Sequence, residues 1–156
     1  MNIYLKQKVF SWLDNFTAKD ADGNDLYTVQ GQLAFGKQLN IYDAQGKQVA
    51  FVRQRLMQFM PRFDVEIDGR VVCTVQREIT FFSQRYSIEG LDWQLDGDFI
   101  AHEYSMFSPN EPIMDMRRAL FTWGDSYELQ IHNPENALLC LAIAIAVDAC
   151  IAVRRK

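Results

Sequence analysis

The chain has 156 residues, 49% of them hydrophobic and 13% aromatic, and its 16 basic and 20 acidic residues leave a net charge of −4. One domain of this length can bury a sizeable core, and the composition excludes wholesale disorder. A weak negative charge without a dominant basic stretch argues against nucleic acid as a partner.

The opening segment, MNIYLKQKVFSWLDNF, has no apolar stretch followed by a small-residue cleavage site. A secretory leader is therefore not expected, and the location expected is cytoplasmic. Three cysteines, Cys73, Cys140 and Cys150, occur without a CxxC pair. An odd number cannot pair fully, so they read as small core hydrophobes in a reducing compartment.

Phe10-Ser11-Trp12-Leu13-Asp14-Asn15-Phe16 returns as Phe121-Thr122-Trp123-Gly124-Asp125-Ser126-Tyr127, with six of seven positions identical or chemically similar. Duplication of a hairpin unit is favoured over convergence on one strand–turn–strand solution. Either way, similar first and last strands suit a closed structure in which the two ends meet and leave no exposed edge.

Between these copies the pattern has period two. Phe63, Val65 and Ile67 alternate with Arg62, Asp64, Glu66 and Asp68, the signature of a strand with one buried and one wet face. Further strands are expected at Gln38–Tyr42, Val49–Arg53, Val71–Val75, Arg85–Glu89 and Tyr127–His132. Turn signals separate them: Asp22-Gly23, Gln45-Gly46, Asp68-Gly69, Glu89-Gly90, Asp96-Gly97, Pro109-Asn110 and Gly124-Asp125. Glycine with Asn or Asp supplies the positive φ of tight hairpins. Many short strands without intervening helices predict a sandwich or barrel, not βαβ units.

The period breaks at Asn133-Pro134-Glu135, which reads as an N-cap, a proline in the first turn and an acid near the helix start. The run ALLCLAIAIAVDACIAV (137–153) follows, apolar on every face, with Asp148 its one charge. Such a helix has to be surrounded, by protein or by lipid. Its eight large aliphatic residues favour insertion by about 2–5 kcal/mol, and Asp148 opposes with up to about 3, so insertion is marginal. Burial inside a barrel stabilises the same side chains by roughly 12–24 kcal/mol before entropy. Burial is favoured, with Asp148 paired to an arginine or to backbone N–H groups.

The chain resembles the LURP-one-related family. The resemblance is carried by Lys6-Gln7-Lys8-Val9-Phe10-Ser11-Trp12, Phe16-Thr17-Ala18-Lys19-Asp20, Tyr42-Asp43, Pro61-Arg62-Phe63, Tyr86-Ser87-Ile88-Glu89-Gly90 and Ala144-Ile145-Ala146-Val147-Asp148-Ala149. That family is similar in turn to the tubby C-terminal domain and the phospholipid scramblases. The resemblance implies a mainly β fold over residues 1–156: a closed antiparallel barrel of about twelve strands (about 3–132) with a hydrophobic C-terminal helix (about 134–153) through its centre. It implies no known enzymatic reaction. Tubby relatives bind phosphoinositides through basic surface residues, which do not map one by one onto this sequence.

Arg53 and Arg55 fall on one face of a strand and Arg62 follows nearby. Guanidinium forks suit phosphate oxygens, and these three are the candidate residues for an anionic group. The alternative, a solvated strand face, applies equally to Arg117-Arg118 and to Arg154-Arg155-Lys156, and the latter triplet is too short for a polybasic membrane signal. His102-Glu103 and His132 read as exposed strand residues, too few for a metal centre. Ser105 lies close to His102 in sequence but on the opposite strand face, so no triad is expected. Asp96, Asp98 and Glu103 beside Trp93 and Phe99 read as a hairpin turn rather than a glycosidase pair. Trp12 and Trp123 read as core anchors, and Gly31…Gly36 lacks the lysine of a phosphate loop. The expectation is a non-enzymatic binding module without cofactor or metal, acting on an anionic lipid headgroup or a protein partner and not stably inserted in a membrane. The alternatives are a membrane-anchored, scramblase-like protein and a small-ligand carrier or enzyme of unknown type.

Overall fold

A computed structural model of the protein describes residues 1–6, 15–80, 84–121 and 124–154. Twelve strands form one antiparallel sheet: β1 (Asn2–Lys6), β2 (Asn15–Lys19), β3 (Asp25–Ala34), β4 (Gly36–Asp43), β5 (Gln48–Gln54), β6 (Arg62–Ile67), β7 (Arg70–Glu78), β8 (Arg85–Glu89), β9 (Gln94–Asp98), β10 (Glu103–Phe107), β11 (Pro112–Phe121) and β12 (Gly124–Ile131). Neighbours in sequence are neighbours in space except at one step. The order is β8-β7-β6-β5-β4-β3-β2-β1-β12-β11-β10-β9, so the first strand pairs with the last and the sheet's two edges are β8 and β9.

The expected meeting of the chain's ends is therefore present. Asn2 to Lys6 run against Gln130 to Ser126, and the N-terminal ammonium donates to the carbonyl of Ile131 at 3.0 Å. Of the sequence repeat, residues 10–14, 122 and 123, Trp12 and Trp123 among them, lie outside the described residues. Phe16 lies on β2 and Tyr127 on β12, the two strands that flank β1, and both are buried.

Asn133 caps the last element as expected, its side chain accepting from the Glu135 N–H at 3.0 Å. A single 3₁₀ turn, Pro134–Asn136, leads into α1 (Ala137–Arg154). Every residue from Cys140 to Ile151 is buried. The helix is long and apolar enough to cross a membrane, yet 72% of that stretch is enclosed by the protein's own strands. Ala142, Ala144, Ala146 and Ala149 are buried along it, and their size lets the surrounding wall approach closely.

Edges β8 and β9 face each other without forming a ladder, so the barrel is nearly closed. Side chains bridge the seam instead. Tyr86 on β8 packs edge-on against Phe99 with ring centroids 5.1 Å apart, Phe99 continues to Tyr104 at 5.0 Å, and Arg85 reaches Asp96 at 3.8 Å.

Three local expectations are corrected. Asp96-Gly97 is not a turn: it lies inside β9, and the turn falls at residues 99–102. Gly97 is needed there because a Cβ would lie 2.6 Å from the Glu103 carbonyl oxygen and the Tyr104 Cα, so it serves close approach of two strands. Gly124-Asp125 likewise opens β12 instead of forming the turn before it. On β6, Asp64 is buried although it alternates with Phe63 and Val65, because Arg55 and Thr74 close over it.

All three cysteines are free and buried. Burial pushes the Cys73 and Cys140 thiols up to about 12 and raises that of Cys150 further. With so little thiolate at pH 8, a disulfide reagent should label none of the three in the native protein and all three in denaturant. Rapid native labelling of Cys140 or Cys150 would show that the helix leaves the barrel readily.

Candidate functional site

An antiparallel meander sorts its connections by parity: those after odd-numbered strands lie at one end of the barrel, those after even-numbered strands at the other. The two ends differ in chemistry. The even connections, residues 20–24, 44–47, 68–69, 90–93 and 108–111, contain Asp20, Asp22, Asp68, Asp92 and Glu111 against a single cation, Lys47. Among the described residues, the odd connections contain no acid and carry the chain's most exposed apolar side chains.

Phe35 sits at the β3–β4 tip, 85% exposed; Met57 and Phe59 in the β5–β6 connection are 100% and 90% exposed; Ile79, just after β7, is 71% exposed. The tips support one another. Gly36 adopts φ +93°, and a Cβ there would lie 2.8 Å from Leu56 Cδ2, so glycine lets the β3–β4 turn rest on the β5–β6 connection. Met57 holds φ +60°, an uncommon backbone state for a non-glycine residue. The Arg77 N–H donates to Pro61 O at 3.1 Å and fastens the connection to β7.

The three arginines singled out from sequence gather at this end. Arg53 is exposed near the end of β5. Arg55 lies beyond β5, its Nε 3.0 Å from Asp64 Oδ2, while Thr74 donates to Asp64 Oδ1 at 2.7 Å. Arg62 opens β6 and pairs with Glu89 at 2.6 Å. Two of the three thus hold carboxylates already. Sequence reading missed Arg77. Together with Arg62 it lines a groove of about 340 Å³ that also includes Phe59, Met60 and Ile79. The Nε atoms of both arginines are buried without hydrogen-bond partners among the described residues.

The helix C-terminus reaches the same end, where Cys150 Sγ lies 3.8 Å from the Pro61 carbonyl. Two residues before Cys150 is the charge that sequence reading left to an arginine or to backbone N–H groups. The partner is His102, whose Nε2 lies 2.6 Å from Asp148 Oδ1. His102 is not the exposed strand residue expected: it occupies the β9–β10 turn at φ +57° and stacks on Tyr127 at 4.3 Å. Burial lowers the imidazole pKa, and the hydrogen bond and charge of Asp148 more than offset this, leaving it raised. Burial raises the Asp148 pKa against the opposing pull of His102. Asp148 Oδ2 and the Tyr104 hydroxyl are also buried without hydrogen-bond partners among the described residues.

The remaining candidates do not converge. Arg117 pairs with Glu128 across two strands. Arg155 and Lys156 lie outside the described residues. Asp98 accepts from the Ala101 N–H, and Asp96 turns to Arg85. Ser105 and His132 meet through Asp115, at 2.6 and 3.2 Å. The carboxylate is the middle member, whereas nucleophilic activation places the imidazole between serine and acid. The Ser105 and His132 hydrogen bonds also hold Asp115 below the usual carboxylate range, which makes it a weak base. Among the described residues no group of three His, Cys, Asp or Glu could hold a metal ion.

Comparison with known proteins agrees with this architecture. A family model described as LURP-one-related matches residues 1–148. The uncharacterised protein YxjI of Bacillus subtilis is 36% identical over 149 residues, covering 95% of this chain and 92% of that protein. An X-ray structure of a protein from Arabidopsis thaliana superposes with a TM-score of 0.63 at 18% identity, covering 95% of this chain and 90% of that one; at that identity the likeness shows the fold. The chain belongs to the LURP-one-related family.

The His102–Asp148 pair gives a direct stability test. Removing one partner of a buried pair costs about 3–5 kcal/mol because it strands the other charge. His102→Ala should lower the unfolding free energy by that order in urea titration, and adding Asp148→Leu should recover much of the loss. If His102→Ala costs under about 1 kcal/mol, the pair does not hold the helix.

Proposed function

We propose that this LURP-one-related protein is a cytoplasmic, non-enzymatic binding module that docks its apolar end onto anionic lipid surfaces. The observation that carries the reading is the combination at one end of Phe35, Met57, Phe59 and Ile79, all largely in water, with Arg53, Arg55, Arg62 and Arg77 behind them. A soluble protein rarely clusters large apolar side chains in solvent without an interaction to serve. Burying Phe59 at the headgroup–acyl boundary would contribute at most about 1.5–3 kcal/mol, and each cation near an anionic surface about 1.

The charge distribution favours a membrane over an acidic protein groove of one fixed shape. The tips are separate turns, not one flat face, and suit a deformable apolar medium. The acidic connections at the far end would be repelled by anionic headgroups, which sets the orientation. The C-terminal helix is enclosed, so the reading needs no anchor from it. Arg53, exposed near the end of β5, is the cation best placed to meet a headgroup phosphate, since Arg62 already holds Glu89 and the Arg77 Nε is buried.

Co-sedimentation with vesicles tests this. Binding should appear with phosphatidylserine-containing vesicles, be weak with pure phosphatidylcholine, and fall as salt rises from 50 to 500 mM (roughly fivefold or more on screening grounds). Met57→Ser/Phe59→Ser should reduce binding about tenfold or more with the fold intact, since each side chain loses its apolar transfer. Equal binding to both vesicle types, or full binding by the double variant, would remove lipid docking at this end.

A further inference from the structure

The fold sorts its sulfur atoms by access to solvent. All three cysteines are buried, with little thiolate to offer an oxidant. A methionine thioether has no proton to lose, so its reactivity follows exposure. Of the six methionines, Met106, Met114 and Met116 are at most 2% exposed in the core, and Met60 is half-buried. Met1 is 44% exposed, but its ammonium is held by the Ile131 carbonyl at the end of β12, on the side of the acidic connections. Met57 is 100% exposed, and it stands at the opposite end, among the apolar tips.

We propose that Met57 is a redox modification site: oxidation of its thioether to the sulfoxide by hydrogen peroxide releases the protein from anionic lipid surfaces, and reduction of the sulfoxide restores docking. The inference rests on the lipid docking proposed above and adds its regulation. In the forward step a sulfur lone pair attacks one peroxide oxygen, the O–O bond breaks, an S–O bond forms and water leaves. Sulfur is oxidised by two electrons and the peroxide is reduced by the same two. The product is a polar, chiral side chain in place of a flexible apolar one, and it is reversible by methionine sulfoxide reductases.

The geometry confines the effect to the docking surface. The β5–β6 connection is closed at its base, where the Arg55 N–H donates to the Arg62 carbonyl at 2.9 Å and the Arg77 N–H to that of Pro61 at 3.1 Å. Met57 sits at the tip of this tethered segment at φ +60°. Nothing shields its side chain, so an added oxygen displaces no packed neighbour and the barrel keeps its core. Entry into a headgroup–acyl boundary is another matter, because the sulfoxide oxygen is a strong acceptor that has to give up its water. Phe35, Phe59 and Ile79, exposed at the same end, are hydrocarbon side chains inert to peroxide. Met57 therefore gives this end a response that its neighbours do not.

The test treats the 156-residue chain with hydrogen peroxide and follows peptide mass spectra and co-sedimentation with phosphatidylserine-containing vesicles together. One oxygen should reach Met57 before Met60, Met106, Met114 or Met116, with the thermal unfolding midpoint unchanged. Vesicle binding should fall about fivefold or more as that site fills, since the side chain loses its apolar transfer. Methionine sulfoxide reductases acting on both epimers should restore it. Met57→Leu keeps an apolar side chain without the sulfur and should bind equally well before and after peroxide, whereas Met57→Gln should bind as weakly as the oxidised protein. Oxygen arriving first at one of the other four, full binding by the oxidised protein, or the same peroxide sensitivity in Met57→Leu would each overturn the proposal. Untreated protein that binds no vesicles would instead remove the lipid reading itself, and the regulation with it.

Discussion

An eighteen-residue helix with no polar face cannot stand in water, and the rest of the structure follows from enclosing it. Twelve consecutive residues, Cys140 to Ile151, have no exposed side. No second helix is present among the described residues to share the task, so the sheet has to curl around the helix. The same requirement explains the inward rows of Val29, Ile41, Val52, Val65, Val75 and Leu129, buried residues that meet the helix or one another. It also explains the alanines along the helix. A barrel of short strands is narrow, and large side chains all round would hold the wall too far away to pack at protein density.

How much of this can be read from the chain depends on whether a signal is local. The helix was legible because composition alone identifies it, and its start because Asn133 and Pro134 act within one turn. Strands with clean alternation, such as 62–67 and 85–89, were equally plain. β9 was not, since LDGD reads as a turn until the neighbouring strand is in place. Gly97 is there for the approach of Tyr104, a contact that no neighbouring residue announces. His102 was missed for the same reason: its partner is 46 positions away.

The candidate site shows the limit more sharply. Arg53, Arg55 and Arg62 could be named because they are close in sequence. Phe35, Met57, Phe59, Ile79 and Arg77 could not be grouped, because only the parity of the strands brings their connections to one end. A net charge of −4 concealed the same fact. It averages an acidic end with an apolar, cation-flanked end, and an average over the chain cannot report an asymmetry along the barrel axis. Nothing in the sequence marks Arg77, because it is the β5–β6 connection that folds back to within 3.1 Å of its backbone.

The position of the seam follows from the order of the chain. The helix comes last, directly after β12, and β12 pairs with β1. Residues 2–6 therefore find their partners only when residues 126–130 and the helix behind them are present. Bringing such distant segments together carries a loop-closure cost that grows only slowly with length, about 0.6 kcal/mol per doubling, so the join is affordable at chain ends. Consecutive strands on either side grow outward from β1 and β12 and meet at β8 and β9, the short strands at the middle of the chain. A ladder there would have to match a register set independently by seven pairings on one side and four on the other. Aromatic packing makes no such demand of register. Tyr86, Phe99 and Tyr104 close the wall by filling space.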